Sequence, residues 1–266
     1  MLKVIKKLLT LIGILLISVN AYASTSTSTC FGSDTVAMLH MDGADTTTTF
    51  TDSSATALSH TANGNAQMDT AQSKFGGASG LFDGTGDYLS NSGSTAYRAG
   101  TGAFTVDLWV RFSGTPGGTV TIFDTGGDCG GGQGCLAVSV PSAFNALWVQ
   151  LVSFSLNEHT FAWSPSADTW YHVAVTRSGT DVKAFIDGTQ IGVTKTDGGN
   201  LNANGTSSFA TNTDFPGWID EGRFVVGTAV WTSDFTAPSS AYTDCDAVVA
   251  TSGAGVGSVG SNPMLF

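Results

Sequence analysis

Short runs of alternating apolar and polar residues, separated by clusters of glycine, asparagine, aspartate and serine, fill the chain from about Cys30 to Cys245. Successive side chains of an extended strand point to opposite faces, so such runs predict strands buried on one side. They are TVAMLHM (35–41), FTVDLWVRF (104–112), TVTIFD (119–124), CLAVSV (135–140), ALWVQLVSF (146–154), WYHVAVTR (170–177), VKAFID (182–187) and GRFVVGTAVW (222–231). Past the N-terminal stretch, no window of helical period longer than about ten residues competes with them. Many short strands with turn signals between them specify an all-β sandwich or barrel, and about 215 residues suit one such domain.

The alternation also assigns faces. In FTVDLWVRF, Phe104, Val106, Leu108, Val110 and Phe112 form the face expected to enter the core, and Thr105, Asp107, Trp109 and Arg111 form the other. In WYHVAVTR, Trp170, His172, Ala174 and Thr176 alternate with Tyr171, Val173, Val175 and Arg177. If both strands lie in one sheet, Trp109, Trp170 and His172 meet on its outer face. An indole on a polar sheet is suited to stack on the apolar face of a sugar ring. The alternative is that loops fold over this face and bury the tryptophans in a secondary core.

Lys3, Lys6 and Lys7, the apolar run from Leu8 to Val19, and Ala21-Tyr22-Ala23 have the pattern of a secretory signal peptide over residues 1–23. Its apolar part is too short for a bilayer span, which takes about 20 residues, so the mature chain is expected to be soluble and secreted or at the cell surface (periplasmic or extracellular). Residues 24–32 read as a polar linker, 33–246 as the domain, and 247–266 as a Gly/Ser-rich tail, either mobile or docking on a neighbouring molecule. Without the leader's three lysines, 7 basic residues face 21 acidic ones, a formal charge of −14. Such a surface does not neutralise phosphates, which argues against nucleic-acid binding. Charged residues make up only 12% of the chain, so its polar surface must consist of threonine, serine, asparagine and glycine. Asn204-Gly205-Thr206 is a glycosylation sequon.

Four cysteines in an exported chain predict disulfides, and three pairings are open. The favoured one joins Cys129 to Cys135 across the tight loop CGGGQGC and Cys30 to Cys245 across the two ends of the domain. On chain entropy the short loop contributes about 2 kcal/mol and the long one about 5 kcal/mol. No paired Cys/His spacing supports zinc instead.

The segment GWIDEGRFVVGTAVW (217–231) sets two carboxylates side by side on a strand. Retaining glycoside hydrolysis needs carboxyl groups about 5–5.5 Å apart, and inverting hydrolysis about 6.5–9.5 Å. Strand neighbours point to opposite faces, so Asp220 and Glu221 are not expected to flank one bond. Asp220 is expected to face inward or toward a cation at the sheet edge, and Glu221 outward beside Arg223 in an exposed pair worth at most about 1 kcal/mol. The other glutamate, Glu158, falls in the turn LNEHT. The motifs G-x-S-x-G, H-E-x-x-H, Walker A and the EF-hand loop are absent from the sequence.

LFDGTGDYLS (81–90), WYHVAVTRSGTDVKAFIDGTQIG (170–192) and GWIDEGRFVVGTAVW, in that order, resemble laminin-G-like domains of the concanavalin A-like superfamily. FTVDLWVRF resembles that family's strand with a central tryptophan, and MLHMDGADTTTTFTDSS (38–54) resembles its opening strand and turn. The resemblance runs over about residues 33–240. It implies a concanavalin A-like jelly roll of two antiparallel sheets, with first and last strands side by side, in keeping with a Cys30–Cys245 clasp. It also implies glycan or protein binding and a structural calcium at the edge of the sandwich. The positions matching the family's calcium pattern are Asp42, Asp83 and Asp220, with carbonyls such as that of Gly43; calcium takes six to eight oxygens. Asp83 and Asp87 can instead cap the glycine turn. The superfamily includes glycosidases, but their E-x-D-x-x-E run is replaced here by W-I-D-E-G-R. The expectation is a non-catalytic, lectin-like module for a glycan or an extracellular or cell-surface protein. The alternatives are a structural or assembly subunit of a surface appendage or virion-like particle, self-assembling through the tail or a sheet edge, and a glycoside-active enzyme.

Overall fold

A computed structural model describes residues 30–91, 93–126, 134–152, 158–203, 208–210 and 215–245; the segment expected to be a signal peptide, most of the expected linker, the sequon and the Gly/Ser-rich tail lie outside the described residues. The chain forms two packed antiparallel sheets, as a concanavalin A-like jelly roll. One sheet runs in the order Thr189–Thr196, Asp181–Ile186, Trp170–Ser178, Phe104–Phe112, Pro216–Val226, Ser79–Asp83 and Gln67–Asp69. Its eighth strand, Thr35–Leu39, pairs with the second half of Pro216–Val226. The other sheet has five strands: Glu158–Ala162, Ala146–Val152, Cys135–Val140, Val120–Asp124 and Ser208–Phe209. A smaller sheet of Thr49–Phe50, His60–Asn63 and Tyr88–Asn91 stands beside them.

The faces assigned by alternation meet as the core. Phe104, Val106, Leu108, Val110 and Phe112 are buried in one cluster with Val138, Val140, Leu147, Val149, Leu151 and Phe161 of the opposite sheet. Arg177 shares the inward face yet is fully buried. Its guanidinium donates to the carbonyls of Gly100, Gly102 and Gly199 at 2.7–2.9 Å, so its donors are paired at the core's end. Cys30–Phe31 pairs in parallel with Thr243–Asp244, and the Cys30–Cys245 disulfide joins the two ends across 215 residues. Cys135 is also disulfide-bonded; Cys129, its expected partner, lies outside the described residues.

Two strand expectations need correction. The last long strand spans Pro216–Val226, not 222–231. At Gly227 (φ 97°) the chain leaves the sheet, and residues 227–242 cross its outer face as a strap. The apolar TAVW stretch therefore packs on the sheet and not within it. Glu158 begins the edge strand Glu158–Ala162 and does not lie in a turn. The strands that alternation missed, such as His60–Asn63, Gln67–Asp69 and Thr189–Thr196, are short or only partly buried, so no apolar face marks them.

Candidate functional site

The outer face of the eight-stranded sheet is the first candidate. Trp109 lies directly opposite His172, and Trp170 opposite Arg111, so the three sequence-selected residues do share this face. The strap changes what they can do. Its Trp231 and Phe235 stack at 4.1 Å and pack edge-on against His172, at 5.6 and 5.8 Å between ring centres. His172 is 0% exposed and Trp109 5%. Trp109 is closed from the other side by Phe75, edge-on at 5.9 Å, and by Lys74, whose Nζ stands 3.8 Å from the ring centre. Neither residue offers a face to a ligand, which corrects the stacking role expected for them. Only Trp170 stays half-buried.

Beneath the strap is a charge network. The Asp107 carboxylate accepts from Arg223 Nε at 2.8 Å and from the Tyr242 hydroxyl at 2.5 Å, and His172 Nε2 lies 3.2 Å away. Burial alone raises a carboxyl's pKa, but Arg223 and His172 outweigh it and hold Asp107 below 3.8. These contacts anchor the strap's far end, since Tyr242 also packs over the Arg223 guanidinium at 4.1 Å.

Asp220 and Glu221 also depart from expectation. Asp220 faces Trp109 and Arg223 faces Asp107, so two residues, Glu221 and Gly222, oppose the single Leu108. This β-bulge, with Glu221 at φ 49°, resets the alternation and puts Asp220 and Arg223 on one face. Gly222 is required there, because a Cβ would meet Phe209 at 2.6 Å. Glu221 is not the outward partner of Arg223; it is 1% exposed. It binds His40 Nδ1 through one oxygen and accepts the Tyr242 N–H through the other, each at 2.9 Å. Burial depresses His40, but the bond and charge of Glu221, with Asp42, hold it above 6.5.

Asp220 Oδ2 accepts the backbone N–H groups of Lys74 and Phe75 at 2.7 and 3.0 Å. Its Oδ1 is buried with no hydrogen-bond partner. Burial pushes this carboxyl up to about 8, against the two N–H groups and with the repulsion of Glu221 and Asp42. Asp42 is exposed as a residue, but its carboxyl is raised by partial desolvation and by the charge of Glu221. Its carboxylate lies against Gly76, where any Cβ would collide with it, and Gly76 adopts φ 62°. Gly43 follows on the exposed turn. Asp83 is elsewhere. It pairs with Pro216, four residues down the sheet from the level of Asp220, or about 13 Å at strand spacing. There it caps the glycine turn, accepting the Thr85 N–H at 2.8 Å, while Asp87 accepts the Asp83 N–H at 2.8 Å. The fold thus gathers Asp42, Asp220 and Glu221, and not Asp83. Among the described residues no three His, Cys, Asp or Glu side chains are grouped closely enough to hold a metal unaided.

The outer face of the five-stranded sheet has a different character. Thr121, Ser139, Trp148 and Thr160 stand side by side on four adjacent strands. Thr121 and Ser139 are joined hydroxyl to hydroxyl at 2.9 Å. Trp148 and its same-face neighbour Gln150 are half-buried, and Thr160 is exposed. This is the indole on a polar sheet that the sequence places on the other sheet. The signal was present in ALWVQLVSF, where inward Leu147, Val149 and Leu151 leave Trp148 and Gln150 outside.

With this geometry in view, a family model described as the concanavalin A-like lectin/glucanases superfamily matches residues 83–229. Comparison with curated proteins gives no sequence match. Among solved structures, the binding domain of Paraclostridial Mosquitocidal Protein 1 is similar at TM-score 0.58 and 13% identity, over 73% of this chain and 49% of that one. Domain 4 of the extracellular arabinanase AbnA from Geobacillus stearothermophilus, solved with arabinotriose, gives 0.55 and 18%, over 73% and 93%. The Botulinum Neurotoxin serotype G binding domain gives 0.54 and 14%, over 76% and 49%. The chain spans about half the length of these toxin domains and nearly all of the arabinanase domain.

Proposed function

Because this chain belongs to the concanavalin A-like lectin/glucanase superfamily, we propose that it is an exported, non-catalytic module that binds a glycan on the outer face of its five-stranded sheet. The observation that carries this reading is the row of Thr121, Ser139, Trp148 and Thr160, with Gln150 alongside. A half-buried indole supplies the apolar platform for one sugar face, and the Thr160 hydroxyl and Gln150 amide beside it supply neutral donors and acceptors, next to a buried Ser139 bonded to Thr121. The similar solved structures are binding domains, one of them in complex with arabinotriose, which supports binding over catalysis. The Cys30–Cys245 disulfide supports an oxidising location outside the cytoplasm.

Calcium is part of the proposal. The unpartnered, buried Oδ1 of Asp220, pressed by the charges of Glu221 and Asp42, fits a hard cation that prefers oxygen. Asp42 and Asp220 would hold it, with backbone carbonyls completing the shell. Its chemistry is structural: it would neutralise the carboxylates that meet at the sheet edge.

A glycan array of the mature protein, with and without a calcium chelator, tests the reading. Loss in Trp148→Ala of binding to at least one glycan that the parent binds is the expected result, and a blank array in excess calcium removes the lectin hypothesis. For the metal, calcium should raise the melting temperature of the parent protein but not of Asp220→Asn. An unchanged parent melting temperature removes the site.

A further inference from the structure

The outer face of the eight-stranded sheet is covered over Trp109 and His172 but open at one end. There Trp170, Arg111 and Trp218 stand directly opposite one another on three adjacent strands, and all three are half-buried. Two strand spacings separate the backbones of the two tryptophans, about 10 Å. The Arg111 guanidinium lies over the Trp218 ring at 5.1 Å and donates to the exposed Asp168 carboxylate at 2.5 Å. The Trp218 indole N–H donates to Asp69 Oδ2 at 2.7 Å, which fixes the ring's orientation. Half-buried Leu81, opposite Trp218 on the next strand, extends the apolar surface.

We propose that this row is a second carbohydrate site, which takes an extended neutral oligosaccharide. Its two indoles are spaced to stack on sugar rings separated by one intervening residue. Arg111 and Asp168 lie between and beside them and offer donors and acceptors to that residue's hydroxyls. The local charge selects the ligand class. Arg111 is balanced by Asp168, and Asp69 leaves the row net negative, on a protein of formal charge −11. An acidic glycan or a phosphodiester is therefore repelled. The assignment shares only its ligand class with the proposed function, because the row lies on the other sheet from Trp148.

The test uses the full mature chain on a panel of neutral oligosaccharides, by titration calorimetry, with circular dichroism confirming that each variant is folded. The expected result is that Trp148→Ala retains binding to one ligand set, and that adding Trp218→Ala or, separately, Trp170→Ala weakens it about tenfold. The second variant guards against a folding effect of the first. If Trp148→Ala abolishes all binding that the parent shows, the second site falls while the proposed function stands. If the parent binds nothing on the panel, both fall. If the Trp170 and Trp218 variants change the elution volume of the protein and not its ligand binding, the row contacts a second copy of the chain and the proposal is overturned.

Discussion

The two sheets each give one face to the core, and their other faces differ in chemistry and in cover. The eight-stranded sheet turns Asp107, Arg223, His172 and Trp109 outward, and all are buried by residues 227–242 and the segment around Lys74 and Phe75. The five-stranded sheet turns Thr121, Trp148 and Thr160 outward, uncharged and partly accessible, beside a buried Ser139. Buried charges need a complete set of partners, and Asp107 has them in Arg223, Tyr242 and His172. Once partnered in this way, the covered part of the face is committed to holding the strap, while the row of Trp170, Arg111 and Trp218 at its end stays half-buried. The row around Trp148 carries no such demand, so its indole, the Thr160 hydroxyl and the Gln150 amide stay available.

The comparison breaks most severely at Asp107. Asp107→Ala leaves Arg223 charged and buried without its carboxylate, and should cost about 3–5 kcal/mol in denaturant unfolding. Thr121→Ala on the other sheet should change stability by less than about 0.5 kcal/mol. A similar cost for the two would show that the faces are not distinct. Trp231→Ala should come next, at about 3 kcal/mol by the same measurement, because it removes the strap's packing on Ala174 and Phe185. It should also expose His172, seen as faster exchange of its ring proton.

Acid should separate the two regions further. Burial lowers the His60 pKa below 6.5 against the pull of Asp52, and neither of its ring nitrogens has a hydrogen-bond partner. His60 packs on Phe209 of the five-stranded sheet, at 6.4 Å between ring centres. Its unfolded form takes up a proton first, so this contribution is full above 6.5 and is lost as pH falls below it. Asp107, held below 3.8, contributes fully above that value and loses its share only as pH falls through its lowered folded pKa. Asp220 and His40, both raised, act in the opposite direction as pH falls, so the measurement is a difference. From pH 7.5 to pH 3 the unfolding midpoint of the parent should fall relative to that of His60→Leu. Trp148→Ala should cost only about 1 kcal/mol of stability, although it should remove the glycan held on the five-stranded sheet.

Much of this architecture was legible from alternation. FTVDLWVRF and CLAVSV form strands with the predicted bounds, and their inward residues form the core. The Cys30–Cys245 clasp followed from the even cysteine set with one member at each end of the domain, and the resemblance agreed with it. The site was less legible. Period two gives the face of a side chain, but not what lies over that face. Trp109 and Trp148 are each an indole on the outward side of an amphipathic strand, beside Asp107 and Arg111 in one and Gln150 in the other. The strap lies over one sheet and not the other, and that difference depends on contacts more than a hundred residues apart, such as Val230 N–H to Thr105 Oγ1 at 2.8 Å.

The same limit explains Asp220 and Glu221. Strict alternation sends them to opposite faces, and one extra residue in a bulge undoes that parity. The sequence by itself determined the strands, the inward faces, the even cysteine set and the fold, because these depend on local periodicity and composition. Tertiary structure alone decided which outer face is covered, which carboxylates meet at the sheet edge and which tryptophans reach solvent. Those outcomes depend on long-range packing, where a single bulge or a single crossing segment decides whether a side chain faces water or protein.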